Sequence, residues 1–192
     1  MAESRVVAFA GSLRRNSFNR ALIEAAKGLT PEGMTISAIE IGDLPFYNAD
    51  VEAAGDPPAV TRFKRAIAEA DGVLIATPEY NDGIPGVLTN AIDWGSRLPA
   101  NAPLTGKAVA LMGASPSQIG TARAQLHLRQ LLGHIRARVL PPPELLVAAA
   151  HQRFDAPPGL RLTHEPTRQV LGALLERFAQ WTRRYSGIPA PT

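Results

Sequence analysis

Short, continuously apolar runs that alternate with helical patterns are the feature that most limits how this chain can fold. Three of these runs cover residues 6–10, 72–76 and 108–112, which read V-V-A-F-A, G-V-L-I-A and A-V-A-L-M. A strand in a parallel sheet reads this way because helices bury both of its faces. Apolar residues at helical spacing predict helices over residues 19–27, 60–70, 86–97, 121–133 and 166–185.

Two further strands complete the predicted sheet. Residues 35–41 alternate between apolar and polar side chains, as is typical of an edge strand. The fifth strand comes from residues 139–140 or 145–150, and prolines 141–143 between them leave both alternatives open. Strands that alternate with helices predict an α/β fold with right-handed crossovers. We expect one flavodoxin-like domain over residues 1–192: a doubly wound five-stranded parallel sheet in the order 2-1-3-4-5, with helices on both faces.

Composition excludes several classes of function. The chain of 192 residues has no cysteine, which removes disulfides, thiolate catalysis and cysteine-based metal sites, so redox chemistry requires a bound cofactor. The net charge is only +3 and the arginines are spread along the chain, which argues against nucleic acid as a partner. No segment has the length of a membrane span or the pattern of a signal peptide, which predicts a cytoplasmic protein without a membrane partner. We expect no metal site.

The polar loop after the first strand, residues 11–19, reads G-S-L-R-R-N-S-F-N and leads directly into a helix. A helix N-terminus presents unpaired backbone N–H groups and a partial positive charge to an anion. Short polar and guanidinium side chains that suit phosphate oxygens surround it, namely Ser12, Arg14, Arg15, Asn16, Ser17 and Asn19. The pattern favours a phosphate site; the alternative is a solvated turn in which Asn19 merely caps the helix.

Two standard phosphate loops are excluded for residues 11–19. The dinucleotide fingerprint needs G-x-G-x-x-G, but this loop has only Gly11. The NTPase loop needs a second glycine followed by lysine, and both are absent. Hydroxyls and arginines without lysine suit a terminal phosphate monoester, such as the 5′-phosphate of a mononucleotide like FMN.

Two more polar loops emerge at the same edge of the predicted sheet, after the third and fourth strands. Ligands of such sheets bind beyond the carboxyl ends of the strands, near the point where the strand order reverses. Residues 78–83 predict a compact turn whose backbone groups can meet the edge of a flat heterocycle, with Tyr80 as a stacking or lid residue. Residues 115–120 are small enough to allow the backbone to approach the same ring.

At these three loops the chain resembles a known family. The motifs are G-S-L-R-R-N-S-F-N at Gly11, T-P-E-Y-N-D-G-I-P-G-V-L-T-N-A-I-D-W at Thr77 and the later A-R-x-Q-x-x-L-R-Q that ends at Gln130. They are similar to the NADPH-dependent FMN reductases, most of all to the chromate and quinone reductases. The resemblance covers about residues 5–140 and implies a flavodoxin-like fold, non-covalent FMN, NADPH or NADH as co-substrate, and a homodimer or homotetramer.

The resemblance also implies roles for individual residues. The phosphate and ribityl chain of FMN would be held by Ser12, Arg14, Ser17, Phe18 and Asn19. The isoalloxazine edge would be lined by Pro78, Glu79, Tyr80 and Asn81, and Ser115 with Gly120 would close the other side. The pair Asp82-Gly83 departs from the family pattern and adds a carboxylate near the flavin. Arg123 has two open roles, which are binding the phosphate of NADPH and pairing with a carboxylate across subunits.

The resemblance predicts an NAD(P)H-dependent FMN or quinone reductase. Reduced nicotinamide would give a hydride to flavin N5 and leave, and the acceptor would then take the electrons in a ping-pong cycle. The implied acceptors are quinones, free flavins, azo dyes and metal oxyanions such as chromate. Because FMN carries the chemistry, we expect no catalytic side chain, and an orienting role is favoured for Glu79 over proton donation. The alternative is a flavodoxin-like electron carrier or flavin-binding partner protein that does not itself oxidise NAD(P)H.

Overall fold

The computed structural model describes residues 3–97 and 102–189. Its strands are β1 (Ser4–Ala10), β2 (Met34–Ala38), β3 (Gly72–Ala76), β4 (Ala108–Ala114), β5 (Arg138–Val139) and β6 (Leu145–Val147). Its helices are α1 (Phe18–Lys27), α2 (Ala49–Ala53), α3 (Pro58–Glu69), α4 (Gly86–Ser96), α5 (Ala122–His134) and α6 (Glu165–Tyr185). A single 3-10 turn, Ala150–Gln152, precedes α6.

The sheet is parallel throughout and has the order β2-β1-β3-β4-β5, which confirms the predicted flavodoxin-like fold. The central strands are in close register, with Val7 opposite Val73 and Val73 opposite Val109. Side chains on one face of the sheet pack against α1 and α6 around Leu22 and Phe178. Those on the other face pack against α3, α4 and α5. The apolar runs of the sequence are thus the strands that helices cover on both sides.

The fifth strand of the prediction is two separate strands, so the sheet has six strands among the described residues rather than the predicted five. β5 pairs with the start of β4, at Ala108 and Val109, whereas β6 pairs with its end, from Met112 to Ala114. Proline has no N–H to donate to a ladder, and prolines 141–143 separate the two strands. Both alternatives left open by the sequence therefore pair with β4, over two and three of its seven residues.

The long loop after β2 contains α2 and lies against α4. Asn90 accepts a hydrogen bond from the Tyr47 N–H at 2.8 Å and donates to the Pro45 carbonyl at 3.0 Å. The indole N–H of Trp94 donates to the same carbonyl at 2.8 Å. Trp94 is fully buried, with Tyr47 edge-on to its ring, so it belongs to the core of this chain. These contacts hold the neighbouring Phe46 outward, with 84% of its surface exposed.

The other predicted element ends differ from the observed ones by a few residues. In the C-terminal segment, Arg138 donates hydrogen bonds to the carbonyls of Ile188 and Pro189. Residues 190–192 lie outside the described residues. No helix within the described ranges combines the length and the apolar character that crossing a bilayer requires.

Candidate functional site

The first loop leads into α1 through a serine cap. Ser17 is the N-cap residue, and its hydroxyl accepts from the N–H of Arg20 at 3.4 Å. The alternative in which Asn19 caps this helix is therefore wrong. No acidic residue lies in the first turn, so the partial positive charge of the helix end is not offset by a carboxylate of α1.

Asn19 connects the first loop to the end of β4. Its side chain is only 2% exposed, and its amide nitrogen donates to the Ala114 carbonyl while its amide oxygen accepts from the Ala114 N–H, both at 2.9 Å. This pair of bonds makes Asn19 a structural tie between two walls of the site. The contact with the flavin tail that the resemblance implies for Asn19 stays a prediction.

The remaining polar side chains of the first loop are unpaired. Arg14 and Arg15 are exposed, and neither guanidinium makes a hydrogen bond or ion pair with any described residue. Ser12 as a whole residue is 5% exposed, and its hydroxyl makes no hydrogen bond to any described residue. Two free guanidinium groups, a free hydroxyl and an open helix N-terminus fit a phosphate monoester.

Phe18 packs against protein at the end of the first loop. Its ring lies against Phe154 with ring centroids 5.3 Å apart and contributes to the core on the α1 and α6 face. Its predicted contact with the FMN tail stays a prediction. Phe18 is the first residue of α1, so its backbone N–H is one of the free donors of the helix end.

The second loop forms the compact turn that the sequence predicts. Tyr80 and Gly83 exchange two backbone hydrogen bonds, at 3.1 and 2.9 Å. Asn81 and Asp82 between them have φ of 49° and 58°, which makes this a type I′ turn, a geometry that asparagine and aspartate tolerate. We call residues 80–83 the flavin-edge turn. The ring of Tyr80 is 48% exposed beside the site.

Glu79 precedes this turn, but its side chain reaches α5. One carboxylate oxygen accepts from the N–H groups of Arg123 and Ala124, at 2.8 and 3.0 Å. Arg123 also forms an ion pair with Asp82. The prediction that Glu79 lines the flavin ring stays a prediction, and Arg123 pairs with a carboxylate of its own chain. The extra charge of Asp82 is offset by this arginine.

The third loop is held from behind by the segment that follows β6. Ser115 donates its N–H to the Val147 carbonyl and accepts from the Ala150 N–H, both at 3.0 Å. Ser117 donates to the Gly120 carbonyl at 3.0 Å, and Gly120 has a φ of 65° that favours glycine. Sequence reasoning identified Ser115 and Gly120 but missed this supporting segment, whose pattern is merely apolar.

Gly113 is a further residue that the sequence did not single out. A Cβ at this position would lie 2.1 Å from the hydroxyl of Thr121 and 2.4 Å from the carbonyl of Thr77. The second and third loops meet here with room for a hydrogen atom only. No feature of the sequence distinguishes this glycine from the others.

The three loops close on one another at their bases. The N–H of Gly11 donates to the Ala76 carbonyl at 2.8 Å, and a Cβ at Gly11 would lie 3.4 Å from Pro78. Pro78 thus forms the junction between the first two loops. Beside the first loop, on its β2 side, is a separate cavity of about 250 Å³, which Arg15, Asn16 and the Arg20–Glu40 ion pair line.

Titratable groups with shifted pKa values lie outside these loops. Burial raises the pKa of Asp93 on α4 and lowers that of Lys107, whose ammonium donates to the Ala70 carbonyl at 2.6 Å. Burial, with the hydrogen bond to Glu52, raises the pKa of Tyr47. The three loops offer the hydrogen-bond donors and the positive charge described above, which suit the binding of an anionic, flat ligand.

Comparison with known proteins identifies the family of the chain. The model of the NADPH-dependent FMN reductase family matches residues 4–152. An NAD(P)H-dependent FMN reductase of Pseudomonas aeruginosa is 45% identical over 183 residues, which cover 95% of this chain and 97% of that protein. A 2-hydroxy-1,4-benzoquinone reductase of a Burkholderia species is 40% identical over 180 residues, with 93% and 96% covered.

A solved structure extends the agreement to the whole fold. FerB, a flavoenzyme NAD(P)H:(acceptor) oxidoreductase from Paracoccus denitrificans, superposes with a TM-score of 0.85 at 34% identity and covers 95% of this chain and 98% of its own. The family match includes all three loops and extends the resemblance seen in the sequence to residue 152. The chain therefore belongs to the NADPH-dependent FMN reductase family and is an oxidoreductase that uses FMN and a reduced nicotinamide nucleotide.

Proposed function

We propose that the protein oxidises NADPH or NADH and reduces a quinone in two successive half-reactions at one FMN site. The observation that carries this proposal is the set of unpaired phosphate ligands beside the flavin-edge turn: Arg14, Arg15, Ser12 and the free end of α1. When bound, FMN supplies the two-electron chemistry that connects the nicotinamide to the acceptor. The chain supplies binding, orientation and a shaped, partly dry site.

Each loop has one task in this proposal. The first loop binds the terminal phosphate through Arg14, Ser12 and the N–H groups that follow Ser17. The backbone of residues 78–81 faces the polar edge of the ring, so that specificity for a flavin comes from N–H and C=O groups rather than from side chains. Ser115 and Gly120 form the opposite wall, and their small side chains allow close approach to the ring. Asn19 connects the first loop to the start of the third loop at Ala114.

A small quinone is the acceptor that we favour. The name of the Burkholderia relative, a 2-hydroxy-1,4-benzoquinone reductase, supports this class, as does the Escherichia coli relative named quinone reductase. Free flavins, azo dyes and chromate belong to the same proposal as secondary acceptors, because a flat open site imposes little shape selection. Tyr80, half exposed at the mouth, is the side chain best placed to stack on a planar acceptor.

The same proposal includes organisation and place. One sheet carries all three loops, so we infer a single functional unit. We also infer a homodimer or homotetramer, and the 84% exposed side chain of Phe46 supports an interface. A cytoplasmic location is part of the same proposal.

Anaerobic titration tests the proposal directly. Purified protein reconstituted with FMN is mixed with NADPH and, separately, NADH, and the flavin absorbance near the visible maximum is followed. We expect full bleaching by at least one nucleotide, and full recovery when one equivalent of a benzoquinone is added. Parallel lines in double-reciprocal plots against both substrates would support two successive half-reactions. A protein that binds FMN yet is not bleached by either nucleotide would instead be an electron carrier.

A further inference from the structure

The contact between Glu79 and α5 joins two loops of the site that are far apart in sequence. The carboxylate of Glu79 accepts from the N–H groups of Arg123 and Ala124 across 44 and 45 residues. Glu79 lies immediately before the flavin-edge turn, while α5 begins immediately after the third loop. The carboxylate therefore fixes the distance between the second loop and the start of α5, which follows the third loop.

The start of α5 depends on this contact because it has no cap of its own. Thr121 is the N-cap residue, but its side chain makes no capping hydrogen bond. Its hydroxyl instead accepts from the amide of Gln125, at 2.9 Å. A helix end has unpaired N–H groups and a partial positive charge, so a carboxylate that accepts from two of them is strongly favoured there. Glu79 provides this cap from another loop.

A second tie runs parallel to the first but is weaker. Arg123 and Asp82 form an ion pair between the same two elements, with side chains that are 54% and 66% exposed. Exposed ion pairs contribute little because water screens them and two flexible side chains must be ordered. Glu79 is partly buried and accepts from backbone groups that are themselves fixed. The carboxylate of Glu79 is the main connection.

The segment that this connection holds is a tight turn. Asn81 and Asp82 both have positive φ, which most residues with a Cβ rarely adopt but which asparagine and aspartate tolerate. The turn is closed at its base by Tyr80 and Gly83, and it is anchored to the rest of the protein by the residue before it. Movement of Glu79 away from α5 would release the turn.

We propose that Glu79 is a positioning residue, whose carboxylate fixes the flavin-edge turn to the N-terminus of α5 and thereby sets how tightly the ring of FMN and the acceptor are held. It rests on the proposed function of the site. It differs from a role in proton donation, because what matters is the reach of an acceptor oxygen to Arg123 and Ala124 rather than a proton on the carboxyl group.

Two conservative variants separate these roles. Glu79→Gln keeps the length of the side chain and an oxygen that accepts both N–H bonds, but it has no titratable proton. Glu79→Asp keeps the charge and the proton, but it is one methylene shorter and loses its reach. A positioning role predicts that the Glu79→Gln variant binds FMN and turns over like wild type, while the Glu79→Asp variant is impaired in both. A role in proton donation predicts the reverse. Glu176→Gln and Glu176→Asp, at an exposed site on α6, are the matched controls.

The measurements are FMN affinity, amide hydrogen exchange of the first turn of α5, and the steady-state parameters with benzoquinone. For Glu79→Asp we expect the Kd of FMN and the KM of quinone to rise about tenfold, the loss typical of a hydrogen bond to a charged group, with faster exchange at Arg123 and Ala124. For Glu79→Gln we expect changes within about threefold and an unaltered pH profile of kcat.

The outcomes distinguish this proposal from the one on which it rests. Wild-type protein that does not bind FMN or is not reduced by NAD(P)H contradicts the proposed function itself. Wild-type activity with a Gln variant worse than the Asp variant, or a Gln variant whose kcat loses its pH dependence, overturns positioning in favour of proton transfer. An Asp variant whose exchange rates and FMN affinity equal those of wild type overturns it as well.

Discussion

Arg14 and Arg15 differ from most other arginines of the chain in having no partner within the described ranges. Arg20, Arg62, Arg129 and Arg161 all pair with carboxylates, at Glu40, Asp43, Glu144 and Asp155. Unpaired guanidinium groups at a helix N-terminus have no structural task that the surrounding contacts reveal. Their charge is therefore available to an anion, and each can be tested singly.

Replacement of Arg14 tests the phosphate contact. We expect Arg14→Ala to weaken FMN binding by about 1.5–3 kcal/mol, the range for hydrogen bonds to charged groups, and to leave riboflavin binding nearly unchanged because riboflavin lacks the phosphate. Fluorescence titration of the apoprotein with each flavin measures both. Arg65→Ala, at an exposed position on α3, is the control. Equal losses for FMN and riboflavin would contradict a phosphate contact.

Gly113 offers a test of how closely the loops meet. An added Cβ would overlap with Thr121 and Thr77, so we expect Gly113→Ala to lower the free energy of unfolding by about 1–3 kcal/mol, as overpacking does. The matched control is Gly172→Ala, in the interior of α6, where nothing lies within 4 Å of the new methyl group. That change should raise stability by about 0.5–1 kcal/mol. Urea unfolding of both variants gives the comparison, and equal stabilities would refute the close contact.

Single residues show both the reach and the limit of sequence reasoning at this site. Ser12, Arg14 and Ser17 are predicted because a motif places them at a helix N-terminus, and the structure has the helix there. For Asn19 and Glu79 the sequence does not predict the contacts with the protein backbone that their side chains make. Both side chains bind backbone groups 95 and 44 residues away, and a motif contains no information on such partners.

At the scale of elements, strands were predicted better than loops. Gly72–Ala76 matches the prediction because a strand covered on both faces must be apolar at every position. The strands that pair with the outer side of β4 are harder to predict. β5 and β6 are only two and three residues long, which is too short to show a periodic pattern of apolar residues. The short helix α2 was missed within its loop because none of its five residues is buried.

The hairpin between the 3-10 turn and α6 allows a test of pH dependence. Asp155 there accepts from the backbone N–H of Arg161 and from its guanidinium, and these bonds hold the pKa of Asp155 below its ordinary value of 3.8. A carboxyl group with a lowered folded-state pKa stabilises the protein fully above the unfolded-state value, and this contribution is lost as the pH falls through the folded-state value.

The prediction concerns the difference in the free energy of unfolding between wild type and Asp155→Asn. We expect the variant to be less stable at about pH 6 and the difference to shrink steadily below about pH 4, because protonated Asp155 resembles the amide. Urea midpoints across this range measure it. Asp50→Asn, which changes a carboxylate without a hydrogen bond to any described residue, should show no such convergence. A difference that stays constant with pH would show that the Arg161 contact does not matter.

At the scale of the whole molecule, the exposed Phe46 points to assembly. The contacts of Asn90 and Trp94 fix its loop, and a rigid, exposed aromatic side chain is typical of an interface. We expect light scattering to give two or four times the chain mass of 20.5 kDa. Phe46→Ser should shift the mass toward the monomer at micromolar concentrations, while Ile188→Ser, at a half-exposed site near the C-terminus, should not. A wild-type protein of 20.5 kDa would exclude assembly.

The tie between Asn19 and Ala114 has a consequence for how the protein acquires its function during folding. The first loop belongs to a local strand and helix that can form early, but its final shape requires β4, 95 residues later in the chain. Contacts of such long range form late because the intervening chain must first be ordered. The ability to capture FMN should therefore arise only when β4 joins the sheet. In refolding experiments, quenching of flavin fluorescence should lag behind the recovery of helical circular dichroism.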